Sequence, residues 1–269
     1  MHQVGYRRTA LTGQMAMLAN SSRSFPRHTH DQYGIGVVDA GGHASAGDAG
    51  RVEAGPGSLI FVNPGEVHDG WAVGGAPRTW RMLYFDPALL LEVLTDIREG
   101  APPAFSFAAP VTEDHRLRSL FDAAFDQARS GIQGRSALAS EAALFQLAAC
   151  LHEVKAARVS GRLSTVQSVF VRRARERIHT DLAASVSLAQ LARDAGLSRF
   201  QLLRHFAREL GLPPHAYLLQ QRIAMARQMI LRGVPLAEVA MATGFADQSH
   251  LSRHFSRQMG VSPGRYAAA

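Results

Sequence analysis

The sequence has little cysteine, almost no lysine and no long apolar run. Its one cysteine, Cys150, cannot form a disulfide within the chain, and this fits a reducing compartment. No stretch approaches the roughly 20 apolar residues of a membrane-spanning helix. Residues 1–6 lack the apolar core of a signal peptide. The sequence therefore predicts a cytoplasmic protein without a membrane partner.

The positive charge comes almost entirely from arginine and lies mainly in the C-terminal part of the chain. From Arg162 onward there are 15 arginines and 6 acidic residues, whereas the preceding part has 14 basic and 16 acidic residues. The formal net charge of the whole chain is +7. This uneven distribution indicates a polyanion as the partner of the C-terminal part.

A duplicated pattern in the basic part is the most informative feature of the sequence. The second copy follows the first by 48 residues at the central glycine and by 49 residues at the later positions. A repeated unit built around a glycine turn predicts two helix-turn-helix modules in one chain. The matching stretches are Ala192–Gly196 with Ala240–Gly244, Arg204–Phe206 with Arg253–Phe255, and Gly211–Tyr217 with Gly260–Tyr266.

Local signals place the helices of each module. Gly244 supplies the positive φ of a tight turn, and Asp247 can cap the helix that follows it. In the first copy, Ser198 and Gln201 form the pattern of a capping box. The further helices predicted in this part are Val166–His179, Leu188–Asp194 and a long connecting helix, His215–Arg232, with Pro235 in the first turn of the next helix.

The second helix of each module is predicted to bury one face and to present the other to double-stranded DNA. Leu202 and Phe206 bury in the first copy, and Leu251 and Phe255 in the second. The residues left for DNA are Arg199, Phe200, Gln201, Leu203 and Arg204, and then Gln248, Ser249, His250, Ser252 and Arg253.

The two modules differ in the chemistry of these residues. We expect Arg204 and Arg253 to carry much of the affinity and specificity. Phe200 and Leu203 make the first module less polar than the second. They could contact thymine methyl groups, or the first module could anchor phosphates with little reading of the sequence.

The N-terminal part is rich in glycine and proline and carries short apolar runs. Gly34–Val38, Ser58–Val62 and Trp80–Phe85 are predicted strands, and Gly/Pro turns separate them. Many short strands of this kind indicate an all-β barrel or jelly roll. Leu117–Ala128 and Leu138–Leu151 have helical periodicity, which predicts two amphipathic helices after the barrel. Their apolar stripes could pack on their own barrel or form a homodimer contact.

Three histidines raise the question of a metal site in the barrel. His28 and His30 are two residues apart, so a strand would put them on one face, and His68 could approach from a facing hairpin. Imidazoles arranged in this way suit Zn, Fe, Ni or Cu. An alternative function is therefore a metal-dependent enzyme joined to a DNA-binding domain.

From about Ser168 to Ala267 the sequence resembles the AraC/XylS-type transcription regulators, and the resemblance extends more weakly over the N-terminal half. Gly55–His68 is similar to the second motif of a cupin barrel, and His28–His30 is similar to the start of the first. Metal-binding cupins continue with a glutamate, where this chain has Gly34 and Ile35. The resemblance therefore favours a non-enzymatic barrel that binds an organic effector.

The resemblance implies a regulator without cofactor, metal or catalytic residues, whose partners are promoter DNA, a small-molecule effector, a second copy of the chain in a homodimer, and RNA polymerase. The expected effector contacts are His28, His30, Tyr33, Glu66, His68, Trp80 and Tyr84. The expected organisation is a cupin-like barrel (residues 1–112), a dimerising helical pair (113–158), a linker (159–165) and an all-α DNA-binding domain (166–269) with modules at about 182–214 and 235–263.

Overall fold

A computed structural model of the protein describes residues 2–47, 50–100, 105–130, 137–153, 168–184 and 186–269. The chain divides into two compact units, residues 1–160 and residues 161–268. The predicted linker, residues 159–165, lies outside the described residues. None of the helices within the described ranges combines the length and the apolar character needed to cross a membrane.

The first unit contains two antiparallel sheets. The larger sheet has the strand order β1-β2-β9-β4-β7-β10, and the smaller sheet has the order β3-β8-β5-β6. This arrangement agrees with the predicted β-rich N-terminal domain. The strands are β1 (His2–Arg8), β2 (Gln14–Ser21), β3 (Phe25–His28), β4 (Tyr33–Ala40), β5 (His43–Gly47), β6 (Gly50–Ala54), β7 (Leu59–Val62), β8 (His68–Ala72), β9 (Arg78–Phe85) and β10 (Val111–Thr112).

Strand β9 shows how the two faces of the larger sheet are used. Because side chains alternate along a strand, Trp80, Met82 and Tyr84 share one face, and Leu83 and Phe85 share the other. In the neighbouring strand β4, Gly36 is the residue paired with Met82. A Cβ atom at Gly36 would overlap the Met82 sulfur and lie 2.6 Å from the Arg81 carbonyl oxygen. Glycine therefore leaves room for the Met82 side chain on that face.

Three helices of the first unit share one hydrophobic core with the larger sheet: α1 (Pro87–Ile97), α2 (His115–Ser130) and α3 (Ala137–Glu153). The stripes predicted from helical periodicity are buried there, including Leu117, Phe121, Leu144 and Leu147. These residues therefore pack on their own barrel, whereas Leu138, at the start of the second stripe, stays exposed, and the homodimer contact stays a prediction. Arg81 connects sheet and helix, since its Nη2 lies 2.8 Å from Asp122 of α2.

Helix α1 was not predicted from the sequence, which placed residues 1–112 in an all-β barrel. It begins with proline at its first position, which is a common helix start. Leu90, Val93 and Leu94 form its buried face at helical spacing. Three residues are too few to establish a helical period in the sequence. The surrounding Gly/Pro-rich strands therefore led to the prediction of an all-β domain here.

The second unit is entirely helical within its described residues. The predicted long connecting helix begins at Pro214, one residue earlier than expected, and Pro235 is the N-cap of α8 rather than part of its first turn. Residues 166 and 167, the predicted start of the first helix, lie outside the described residues. The helices are α4 (Val169–Thr180), α5 (Leu188–Ala195), α6 (Arg199–Leu210), α7 (Pro214–Leu231), α8 (Leu236–Ala242), α9 (Gln248–Met259) and α10 (Pro263–Ala267).

The two copies of the repeat have the same turn geometry. Gly196 ends α5 with φ 69°, and Gly244 follows α8 with φ 76°. Ser198 and Gln201 form the predicted capping box at the start of α6. Asp247 caps α9, because its Oδ1 accepts a hydrogen bond of 2.6 Å from the His250 backbone N–H.

One buried arginine of α7 connects the two modules. The Arg222 guanidinium donates hydrogen bonds to the carbonyl oxygens of Leu182 at 2.8 Å and Ala184 at 3.2 Å, on the chain that leads into α5. It donates a third bond of 2.6 Å to the carbonyl oxygen of Gly244, in the turn of the second module. A single charged group therefore fixes both modules to the helix between them.

The chain enters α4 through a contact with α6. The Ser168 backbone N–H donates to Glu209 Oε2 at 2.9 Å, and the Ser168 hydroxyl lies 3.0 Å from the same oxygen. Glu209 is in the last turn of α6. The start of α4 is thus attached to the end of the predicted DNA-contacting helix of the first module.

The duplicated glycines give a matched pair of variants. Gly196→Ala should cost roughly 1–2 kcal/mol for the left-handed φ alone, because no neighbouring atom of the described residues lies within 4 Å of the added Cβ. At Gly244 the added Cβ would also lie 2.8 Å from Ala183 Cα and 2.7 Å from Arg222 Nη2. Gly244→Ala should therefore cost roughly 2–5 kcal/mol in urea unfolding followed by helical circular dichroism. Equal losses in the two variants would contradict this packing.

Candidate DNA interface and effector pocket

Helices α6 and α9 have the division into two faces that the sequence predicts. Leu202, Phe206, Leu251 and Phe255 are fully buried. The predicted DNA contacts lie on the other side, so neither Arg204 nor Arg253 points into the protein interior. Arg199, Phe200, Gln201, Leu203, Arg204, Gln248, Ser249 and Arg253 are exposed, and His250 and Ser252 are half-buried.

The exposed faces of α6 and α9 differ in polarity. Phe200 is 72% exposed and Leu203 is 37% exposed, so α6 presents an apolar surface beside its arginines. The corresponding face of α9 offers hydroxyl, amide, imidazole and guanidinium groups. Exposed apolar side chains of this size suit contact with thymine methyl groups, whereas the groups of α9 suit hydrogen bonds to base edges and phosphates.

His250 is partly engaged by its own turn. Its Nδ1 accepts a hydrogen bond of 3.3 Å from the Ala246 backbone N–H, which leaves Nε2 for a ligand. Its ring lies 4.8 Å from the ring of His254, a residue that the sequence analysis did not select. Burial and the nearby His250 lower the pKa of His254, which favours the neutral form of its ring.

In the first unit, three histidines come together between β3, β8 and the loop after β3. His28 and His68 face each other across the paired strands, with ring centroids 4.5 Å apart. His30 follows the end of β3, so it does not share a strand with His28 as predicted. Its ring nevertheless approaches, and the Nε2 atoms of His28 and His30 are 3.2 Å apart. One ligand atom from each histidine lies within 4.8 Å of the other two.

Backbone carbonyl groups orient two of these rings. His28 Nδ1–H donates to the Pro26 oxygen at 2.7 Å, and His68 Nδ1–H donates to the Glu66 oxygen at 3.1 Å. Both rings therefore carry their unprotonated lone pair on Nε2. Burial lowers the pKa of His28 to about 3 and that of His68 to about 4, so both are neutral at pH 7. Neutral imidazoles with the lone pair on Nε2 can act as metal ligands.

A buried arginine, which the sequence analysis did not select, lies in the same barrel. Arg78 of β9 is 0% exposed, and its Nε donates to His43 Nδ1 of β5 at 2.9 Å. Its guanidinium lies 4.7 Å from the centre of the Trp80 ring and 6.0 Å from that of Phe25. The side chain therefore reaches from the larger sheet to the smaller one, which places it between them.

The charge of Arg78 has no acidic neighbour in the described part of the chain. Its Nη1 donates to the Arg23 carbonyl oxygen at 3.2 Å, and among the described residues no atom accepts a hydrogen bond from its Nη2. Burial lowers the pKa of Arg78 to about 10, which still leaves it charged at pH 7. A buried guanidinium with an unused donor is costly by itself and suits a bound anion.

The remaining predicted effector contacts fall into different places. Tyr84 lies beside His30, with ring centroids 5.3 Å apart, and Trp80 lies beneath Arg78. Glu66 Oε2 accepts hydrogen bonds from the backbone and side chain of Asn63, so it shapes the turn before β8. Tyr33 is a correction: it belongs to the core shared with the helices, and its hydroxyl donates to the Phe105 oxygen at 2.7 Å. Side-chain alternation on β4 explains this, because Gly34 takes the other face.

Two family descriptions match the chain and together cover most of it. An AraC-like ligand binding domain matches residues 13–148, about half of the chain. A helix-turn-helix domain matches residues 191–269. The first match contains the histidines and Arg78, and the second contains α6 and α9.

Individual proteins agree with these matches. The uncharacterized HTH-type transcriptional regulator YbfI of Bacillus subtilis is 28% identical over 85% of this chain and 82% of its own length. The arabinose operon regulatory protein of Salmonella typhimurium is 29% identical over 79% of this chain and 75% of its own length.

Solved structures show the same fold. ToxT from Vibrio cholerae superposes with a TM-score of 0.60 at 13% identity, over 96% of this chain and 98% of its own. A further ToxT structure, with unsaturated fatty acid bound, gives a TM-score of 0.59 at 12% identity over 97% and 96%. The match over half the chain to the ligand-binding domain, joined to a helix-turn-helix domain, shows that this protein belongs to the AraC-type family of DNA-binding transcription regulators.

Proposed function

We propose that this regulator reads promoter DNA through α6 and α9 and responds to a small molecule held between the sheets of the first unit. The observation that carries the proposal is the pair of duplicated helices, each with an exposed arginine-bearing face, fixed to one connecting helix by Arg222. Two such helices in successive major grooves would lie about one duplex turn (~34 Å) apart. The proposal assigns no catalysis to the barrel.

In this proposal the two modules divide the work of recognition. Helix α9 supplies hydrogen-bonding groups to base edges through Gln248, Ser249, His250, Ser252 and Arg253. Helix α6 contributes Arg199, Gln201 and Arg204 for phosphates or guanine. Phe200 and Leu203 are exposed apolar groups that fit thymine methyls.

Arg253→Ala tests the reading of bases. If the Arg253 guanidinium makes two hydrogen bonds to one guanine, the variant should lose roughly 1–3 kcal/mol of binding free energy on the cognate site. It should lose little on a site in which that base pair is mutated. The measurement is a titration of the full-length protein on both duplexes at several salt concentrations.

Arg257→Ala is the matched control, because it removes the same charge from the last turn of the same helix. We expect it to weaken binding to all duplexes equally and to reduce the salt slope. The same uniform loss for Arg253→Ala would show that Arg253 contacts phosphate instead of a base.

The effector is expected to contact His28, His30, His68, Trp80 and Tyr84 and to carry an anionic group, which Arg78 would bind. The support is the buried guanidinium with its unused Nη2 and without an acidic neighbour in the described residues. The aromatic rings of Trp80 and Phe25 beside it favour an effector that also has an apolar part. The fatty acid bound to ToxT is a carboxylic acid held by a protein of the same fold.

Matched ligand pairs test the anionic group. Carboxylic acids with an apolar part should raise the melting temperature of the full-length protein, whereas their methyl esters should not. At a ligand concentration of about a hundred times Kd, the free energy of unfolding should rise by about 2.7 kcal/mol. Arg78→Gln should abolish the response, because the amide cannot replace the charge. Arg51→Gln, at an exposed arginine of β6, should keep it. Equal responses to acids and esters would contradict the role of Arg78.

Two further partners belong to the proposal. A homodimer would use the exposed side of α3, where Leu138, the first residue of the predicted stripe, is 71% exposed and Phe145 is 38% exposed. RNA polymerase is the expected further partner of the DNA-bound protein. We place the protein in the cytoplasm because its partner is promoter DNA.

A further inference from the structure

We infer that His28, His30 and His68 form a binding site for one divalent transition-metal ion of the first row. The inference rests on the positions of the three imidazoles and not on the effector, so it stands whether or not an organic molecule binds in the barrel. Neither of the matched family descriptions assigns a metal to this domain.

The distances between the nitrogen atoms fit an ion. With Zn–N bonds of about 2.0–2.1 Å in tetrahedral geometry, two ligand nitrogens are about 3.4 Å apart. The His28 and His30 Nε2 atoms are 3.2 Å apart, and the ligand atom of His68 lies within 4.8 Å of both. A small ring rotation of His68 would complete the set.

The hydrogen bonds around the rings match those of metal sites. Ligating histidines generally donate their second ring N–H to a carbonyl or carboxylate group, which fixes the ring. Both His28 and His68 do so, to Pro26 and Glu66 respectively. Without an ion, the 3.2 Å contact between the His28 and His30 Nε2 atoms is a hydrogen bond that His30 donates, so metal binding through His30 Nε2 requires the tautomer with the proton on Nδ1.

The donor set determines the class of ion. Three imidazoles suit Zn²⁺, Ni²⁺, Co²⁺, Cu²⁺ or Fe²⁺, whereas Mg²⁺ and Ca²⁺ prefer oxygen ligands. The carboxylate of Glu66 is directed to Asn63. Three protein ligands leave room in the coordination sphere for water or for an oxygen atom of an effector. An ion here would add to the positive charge of Arg78.

Metal binding by the full-length protein without an affinity tag tests the inference. After stripping with a chelator and dialysis against Zn²⁺, elemental analysis should give one ion per chain, and the ion should raise the melting temperature. Co²⁺ should produce ligand-field absorption in the visible range. His30→Ala should weaken Zn²⁺ binding by at least about tenfold and remove the Co²⁺ bands. His30 lies outside the strands, so this variant should fold.

His43→Gln is the matched control, since it changes a half-buried histidine of the same barrel and keeps an acceptor for Arg78. It should bind one Zn²⁺ as the unchanged protein does. The inference is overturned if the unchanged protein retains no ion after dialysis, if His30→Ala binds as tightly as it does, or if His43→Gln loses the ion equally. None of these measurements involves an organic effector, so they leave the role of Arg78 to its own test.

Discussion

The helical unit depends on one guanidinium, that of Arg222. Its three hydrogen bonds satisfy carbonyl groups on both sides of α7, at Leu182, Ala184 and Gly244. Helix ends and tight turns leave carbonyl groups without a backbone partner, and a buried charge can satisfy several of them at once. Hydrogen bonds of one buried side chain therefore hold the two modules at a fixed spacing. Two helices need such a fixed spacing if they are to enter successive major grooves.

The same network explains the glycine of the second turn. Gly244 offers its carbonyl oxygen to Arg222 and leaves no room for a Cβ between Arg222 and Ala183. In the first module Gly196 has a similar φ, but no atom in the described part of the chain crowds the position of a Cβ there. Both copies of the repeat thus have a glycine with a left-handed backbone conformation. Only in the second copy does this glycine also bind the connecting helix, through the Arg222 side chain.

The barrel uses its interior in a different way. Its interior carries the buried guanidinium of Arg78 and the imidazoles of His28, His43 and His68, which suit an electron-rich ligand or, for the imidazoles, an ion. Their burial keeps His28, His43 and His68 neutral, so Arg78 supplies the charge. A barrel that was only a structural support would fill this space with apolar side chains at lower cost.

The helical unit could be predicted well from the sequence because its signals are local. Asp247, Gly244 and the pair Leu251 and Phe255 lie within twelve residues, and each has a direct structural meaning. The contacts inside the barrel were harder to predict from the sequence. Strand β3 pairs irregularly with β8 and ends at His28, which leaves His30 off the strand, and no periodicity contains that information. Contacts such as Arg78 with His43 join residues 35 positions apart, so only the folded chain reveals them.

The attachment of Ser168 to Glu209 has a consequence for how force travels along the chain. A pull on α4 would be transmitted to the last turn of α6 through Ser168 and Glu209, and to α7 through the hydrogen bond between His179 and Tyr217. The load on the first module would therefore be shared by α7, the helix that also carries Arg222.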